Sequence, residues 1–271
     1  MPNRIRAGFL RRLATGAAVV AVPALALLPM AQASTAATEA TFTKIQGAAA
    51  NAAGLQPTVD AYRALLGNPN NGNTPGSQNA GRREIDWDGV PPQFSAPNLM
   101  PPDLFNRAPA TRGAVFSSPG GNQFQVSADS ASGVPVRFGN INLQYPLIFN
   151  TFSPEKLFTP LNTTTTRVHF RVPGTNTPAT VNGFGAVFTD VDSATSTKIE
   201  LYSFGTLVWW SYVPKGTTAS KSLSFLGVKT DAKIYEVRIT SGNTPLSAWN
   251  NDGGAKDVVV MDDFLYGEPR P

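Results

Sequence analysis

Eight of the 18 acidic residues stand in four short groups: Asp86-Trp87-Asp88-Gly89, Asp190-Val191-Asp192, Asp252-Gly253-Gly254 with Asp257, and Asp262-Asp263. Grouped carboxylates suit a hard cation such as Ca²⁺, which takes about six to eight oxygens from carboxylates, carbonyls and water. Alternate residues of a strand point to one side, so Asp190 and Asp192 at a strand end can offer two carboxylates together. Asp190, Asp192, Asp262 and Asp263 are therefore the candidate ligands of a structural calcium site. No group follows the spacing of a D-x-D-x-D-G loop, and aspartate also caps turns and solvates strand ends. The spacing leaves both readings open.

Tryptophan offers a second kind of chemistry, because an exposed aromatic ring can stack on a sugar. Trp209 and Trp210 are adjacent in a strand pattern, so their side chains leave on opposite faces. Leu207 and Trp209 are expected on one face, and Val208, Trp210 and Tyr212 on the other. Trp249 lies in the turn-rich stretch 243–254. Trp209, Trp210 and Trp249 are the candidate ligand contacts, with Asn, Asp and Thr as hydrogen-bond partners. The competing reading covers both strand rings, one by the opposing sheet and one by a loop, since aromatics dominate cores.

Catalytic motifs are scarcer. His169, the single histidine, sits between Val168 and Phe170, and no G-x-S-x-G turn or other placed nucleophile accompanies it. It reads as a polar strand residue. With no cysteine and one histidine, a zinc hydrolase would lack its ligands. Glu84, Glu155, Glu200 and Glu236 could supply a carboxylate pair for glycoside hydrolysis, which only their spatial separation would reveal.

What must position these side chains is a chain built for export and for turns. Residues 1–33 carry Arg4, Arg6, Arg11 and Arg12, an apolar run interrupted by Pro23 and Pro29, and Ala31-Gln32-Ala33 before Ser34. This is the pattern of a cleaved secretory signal peptide, and the run is too short for a spanning helix. Arg11-Arg12 followed by Leu-Ala-Thr-Gly fits a twin-arginine signal poorly. Those four arginines belong to a total of 22 basic residues against 18 acidic ones, so the remainder is formally neutral. The basic pI therefore belongs to the targeting segment, and nucleic-acid binding is not expected. Without cysteine, an exported fold must rely for stability on its core, with bound ions as the available supplement. No second long apolar stretch follows, so no membrane span is expected in the mature chain.

Residues 34–81 are expected to form an Ala/Thr-rich leader, a short helix over 56–66, and a flexible linker (NPNNGNTPGSQNAG) over 68–81. A domain over 82–271 follows. Its strand signals recur at Glu84–Trp87, Gln123–Ala128, Val134–Phe138, Arg167–Val172, Gly183–Val191, Lys198–Phe204, Leu207–Val213, Ser222–Val228, Ile234–Thr240 and Val258–Tyr266. Ser203-Phe204-Gly205-Thr206 is expected to join two of them as a hairpin. Glu236 and Arg238 are expected with Ile234 on one strand face. Such strands with no helical pattern between them predict an all-β, antiparallel sandwich of the jelly-roll kind. Its opening strand near Ile85 should lie close to its closing strand near Phe264.

At Gly81–Val90 (GRREIDWDGV), Gly183–Asp192 (GFGAVFTDVD), Leu223–Gly227 (LSFLG), Val237–Gly242 (VRITSG) and Asp257–Pro269 (DVVVMDDFLYGEP), the chain resembles a group of exported bacterial surface proteins of unassigned function. In that group a jelly-roll domain closes on a D-D-F/I-x-Y/F-G strand. The resemblance implies a sandwich similar to carbohydrate-binding modules and adhesion domains, and it implies no catalytic residues. The end at Glu268–Pro271 shows no apolar tail, so release is expected rather than anchoring. The leading expectation is a secreted, non-catalytic binding module for extracellular glycan or cell-surface material. A structural or adhesion protein without a small-ligand site, and a glycan-cleaving enzyme with paired carboxylates, are the alternatives.

Overall fold

Gly, Pro and Asn cut the sequence into short extended runs, and these runs pair into two antiparallel sheets. The computed structural model describes residues 39–271, and the expected export signal at 1–33 lies outside the described residues. In chain order the first strands are β1 (Phe42–Ala49), β2 (Arg82–Ile85), β3 (Ala114–Ser117), β4 (Phe124–Val126), β5 (Phe158–Pro160) and β6 (Thr165–Phe170). The others are β7 (Val181–Thr189), β8 (Lys198–Ser203), β9 (Thr206–Tyr212), β10 (Leu223–Ile234), β11 (Glu236–Thr240) and β12 (Val260–Gly267). The first sheet runs β1-β10-β7-β12-β5-β4, with β2 also paired to β12, and the second runs β3-β6-β11-β8-β9. From β2 onward the chain changes sheet at nearly every connection, β4–β5 and β8–β9 excepted. The result is an all-β sandwich with jelly-roll wiring.

Alternation fills the space between the sheets. Val168 and Phe170 of β6, Ile199 and Leu201 of β8, and Val237 and Ile239 of β11 meet Phe184, Phe188, Phe264 and Tyr266 of the first sheet. Trp87 lies at the centre, stacked on Phe158 with ring centroids 4.1 Å apart, and its indole N–H donates to the Asp262 carbonyl at 2.8 Å. The opening and closing strands pair directly, with Phe264 opposite Ile85.

The outer face of the first sheet is covered by helix α1 (Ala52–Leu66), which starts a turn earlier than expected because Asn51 caps it by accepting from the Gly54 N–H. Its buried residues Leu55, Val59, Tyr62 and Leu66 pack on Val187, Leu223, Phe225 and Leu265. Residues 42–49, expected as part of a loose leader, form β1 along the edge of β10.

The segment 68–81, expected as a flexible linker, is bonded to the sandwich. Arg83 is wholly buried, and its guanidinium donates to the carbonyls of Gly72, Thr74 and Gly76 as well as to Glu268. A buried cation needs such acceptors, and the segment supplies them, so residues 39–271 form one compact unit with no boundary at 81.

Three strand expectations change. Residues 134–138 form no strand, and Arg137 and Phe138 adopt positive φ. The chain crosses between sheets at Tyr235, so Ile234 is buried at the end of β10 while Glu236 and Arg238 lie on the outer face of β11. In β9, Leu201 pairs with Trp209 but Tyr202 pairs with Leu207, leaving Val208 as a bulge residue. Leu207 therefore turns outward and Trp209 inward, and they do not share a face.

Candidate functional site

The aspartate groups converge in pairs. β7 ends at Thr189, and Asp190 then takes a left-handed conformation (φ 68°), so Asp190 and Asp192 are not successive positions on one strand face. The loop over 243–257 brings Asp252 and Asp257 to the same end of the sandwich. One carboxylate oxygen from each of Asp192, Asp252 and Asp257 lies within 4.8 Å of the others. Asp257 is held by the N–H groups of Asp192 and Ser193, each at 3.1 Å, and by the Ser196 hydroxyl. Asp252 accepts from the Val258 N–H at 2.9 Å.

Asp190 lies beside these three and is fully buried, with no hydrogen-bond partner for either carboxylate oxygen. Burial pushes its pKa up to about 8, with further increments from Asp252, Asp192 and Asp257. Asp192 is raised to about 6, first by burial and then by Asp252 and Asp257. The Asp192 side opens onto a cleft of about 460 Å³ lined by Lys215, Thr217, Thr218 and Gly254. The three clustered side chains offer carboxylate oxygens, the donor type a hard cation takes.

Asp262 and Asp263, expected as ligands alongside Asp190 and Asp192, lie elsewhere. Between Met261 and Phe264 the register of β12 against β7 shifts by one residue, and the two aspartates occupy that bulge. Asp262 accepts from the Phe152 N–H at 2.6 Å and the Ser153 hydroxyl at 2.9 Å. Asp263 faces Arg63 of α1 at 3.5 Å. Both are engaged by the fold itself. Asp252 and Asp257 take their place in the cluster. Their grouping was visible in the sequence, but which groups would meet depends on the sheet order.

The tryptophans separate as well. Trp209 is half-buried and stacks on Phe42 of β1 at 6.5 Å. Trp210 is 50% exposed on the outer face of the second sheet, directly across from Glu200, with Tyr212 edge-on at 5.2 Å. Trp249 is 89% exposed. Its loop is anchored by Tyr145 in the one-turn helix Tyr145–Ile148, whose hydroxyl lies 2.8 Å from the Asn250 carbonyl and accepts from the Ser247 N–H at 3.0 Å.

His169 gains partners that its sequence position did not reveal. Its Nε2 lies 3.1 Å from the Ser117 hydroxyl, and its Nδ1 lies 3.8 Å from Glu236. The second distance is beyond a hydrogen bond, and Glu236 is also drawn to Arg238 at 3.3 Å, so no relay is closed. Glu84 pairs with Arg63 and Arg82, and Glu200 with Lys198. Glu155 accepts from the Ser130 hydroxyl.

Comparison with known proteins gives no match to a family model, a curated protein or a solved structure.

Proposed function

We propose that this chain is an exported, non-catalytic binding module that holds a glycan against the outer face of its second sheet. The observation that carries the reading is Trp210, half exposed in a sheet where its neighbours are polar. Glu200, Lys198, Tyr202 and Arg238 surround it on β8 and β11, offering carboxylate, ammonium, hydroxyl and guanidinium groups to sugar hydroxyls. Trp210 and Tyr212 meet at 88°, so the two rings cannot both lie flat against one surface. That geometry favours a single stacked sugar in a soluble chain over a flat crystalline surface. Export is supported by the residue pattern of 1–33, and no described helix is long and apolar enough to cross a membrane.

A structural or adhesive role is favoured by a different feature. β9 is an edge strand with Leu207 exposed and the exposed Phe204 in the turn before it, a template for pairing between copies. Affinity electrophoresis on soluble polysaccharides, alongside sedimentation of the free protein, separates the two. The glycan reading expects retardation by at least one polysaccharide and a loss of about tenfold in affinity, about 1.4 kcal/mol, on Trp210→Ala. Retardation unchanged by Trp210→Ala and Trp249→Ala would overturn it. Concentration-dependent assembly with no retardation would favour the structural role.

A further inference from the structure

Eight of the 18 acidic side chains of this protein have a basic partner, the exposed pair of Asp103 with Arg107 among them. Asp60, Glu84 and Asp263 pair with Arg63, Asp129 with Lys156, Glu200 with Lys198, Glu236 with Arg238, and Glu268 with Arg83. Among the described residues, none of Asp190, Asp192, Asp252 and Asp257 forms an ion pair. Three of them nonetheless crowd within 4.8 Å, and the fourth is sealed from solvent with both oxygens unpartnered. Buried polar groups are almost always hydrogen-bonded, and an isolated buried carboxylate is costly. Lys215 stands in the cleft beside Asp192 without pairing with it, so crowded carboxylates with an orphaned buried neighbour lack a positive ligand.

We propose that Asp192, Asp252 and Asp257, with the buried and unpartnered Asp190 beside them, bind one hard divalent cation, calcium in preference to magnesium, which pins the Trp249 loop to the end of β7. The oxygen spacing of Asp192, Asp252 and Asp257 fits, because 4.8 Å is about twice a calcium–oxygen bond of about 2.4 Å, the widest separation two ligands of one ion can have. The absence of His and Cys from the cluster argues against zinc. Irregular loop geometry suits the flexible coordination of calcium better than the strict octahedron of magnesium. The cleft beside Asp192 gives the ion a route in and room for water ligands. Since Asp190 and Asp192 follow β7 while Asp252 and Asp257 belong to the 243–257 loop, one ion would tie the two segments together. The inference is independent of the glycan reading, since it concerns only these carboxylates and the loop they hold.

The test is calorimetric titration of the purified protein with CaCl₂ and MgCl₂ after EDTA treatment, with thermal unfolding and chymotrypsin cleavage after Trp249 followed in parallel. Expected are one saturable calcium site per chain, weaker magnesium binding, and a midpoint raised by about 5–10 °C at a hundredfold excess over Kd. Cleavage at the exposed Trp249 should slow by about tenfold when calcium is bound. Asp252→Asn should weaken calcium binding by at least tenfold while raising the calcium-free midpoint, because it removes a repulsive charge. That opposition of signs would not arise from a residue that merely supports the loop. Asp103→Asn, in an exposed pair with Arg107, should leave calcium binding unchanged. Absence of saturable binding, or binding equally affected by both variants, overturns the site. Saturable binding with unaltered cleavage overturns the pinning of the loop.

Discussion

Arg83 is a wholly buried charge, bonded to Glu268 through Nε at 2.9 Å and Nη2 at 2.7 Å. Removing one partner of such a pair strands the other in a low-dielectric site, so Glu268→Ala is expected to cost about 3–5 kcal/mol in urea unfolding. A second residue-scale effect concerns pH. Burial raises Asp263 to about 6, with Asp86 adding to the shift while Arg63, Ser153 and Asp262 lower it, and Glu84 shares Arg63. A carboxyl raised in the folded state is protonated there before it is in the unfolded chain. Its contribution is therefore fully present below about pH 4 and is lost as pH rises toward 6. Asp263→Asn should flatten the fall in melting temperature between pH 4 and 6, and an unchanged slope would count against the assignment. Residues of this kind show what the sequence does and does not disclose. The exposure of Trp249 is legible from the turns around it. The role of Arg83 is not, because most of its acceptors are main-chain carbonyls, which every residue type supplies. The meeting of Asp252 and Asp257 with Asp190 and Asp192 is set by strands distant in sequence.

Elements were legible where side chains alternate and turns are distinctive. The β8–β9 hairpin closes with Phe204 and Gly205, both at positive φ, on the four residues that the sequence marks. β1 was hidden because it pairs by its backbone along an edge and has no fully buried residue, so its sequence carries little alternation. The seat of α1 was hidden for a related reason. Tyr62 lies over Gly185 and Gly227, where a Cβ would approach its ring to 2.7 and 2.8 Å, and its hydroxyl donates to the Val228 carbonyl at 2.9 Å. Here the glycines matter for what they leave empty, which a hydrophobic pattern does not record. Gly227→Ala should destabilise by about 1–3 kcal/mol through overpacking, and Tyr62→Ala by about 3–5 kcal/mol. If the clash with Tyr62 is the cause, Gly227→Ala should cost much less in a Tyr62→Ala background, and additive costs in a double-mutant cycle would refute it.

At the scale of the molecule, composition and contacts disagree about where the fold begins. The Asn/Gly/Pro run over 68–81 reads as a linker, since its side chains bury little. Its backbone and polar groups nevertheless close over Arg83 and Glu268: Gln78 donates its N–H to Glu268 at 3.0 Å, and Asn71 its amide at 2.8 Å. Upstream, β1 pairs with β10 over eight residues and α1 covers Val187, Leu223, Phe225 and Leu265. A chain beginning at Arg82 would expose that apolar face and leave the buried guanidinium short of three carbonyl acceptors. Exposed patches of this kind drive aggregation, and stranded charges cost several kcal/mol against a typical stability of about 5–15 kcal/mol. The chain over 39–271 should therefore unfold in one cooperative transition by circular dichroism, and the chain over 82–271 should fail to show one. Two separate transitions in the longer chain, with the shorter one melting near the upper of them, would restore a boundary at 81 and reduce β1, α1 and the 68–81 segment to an appendage.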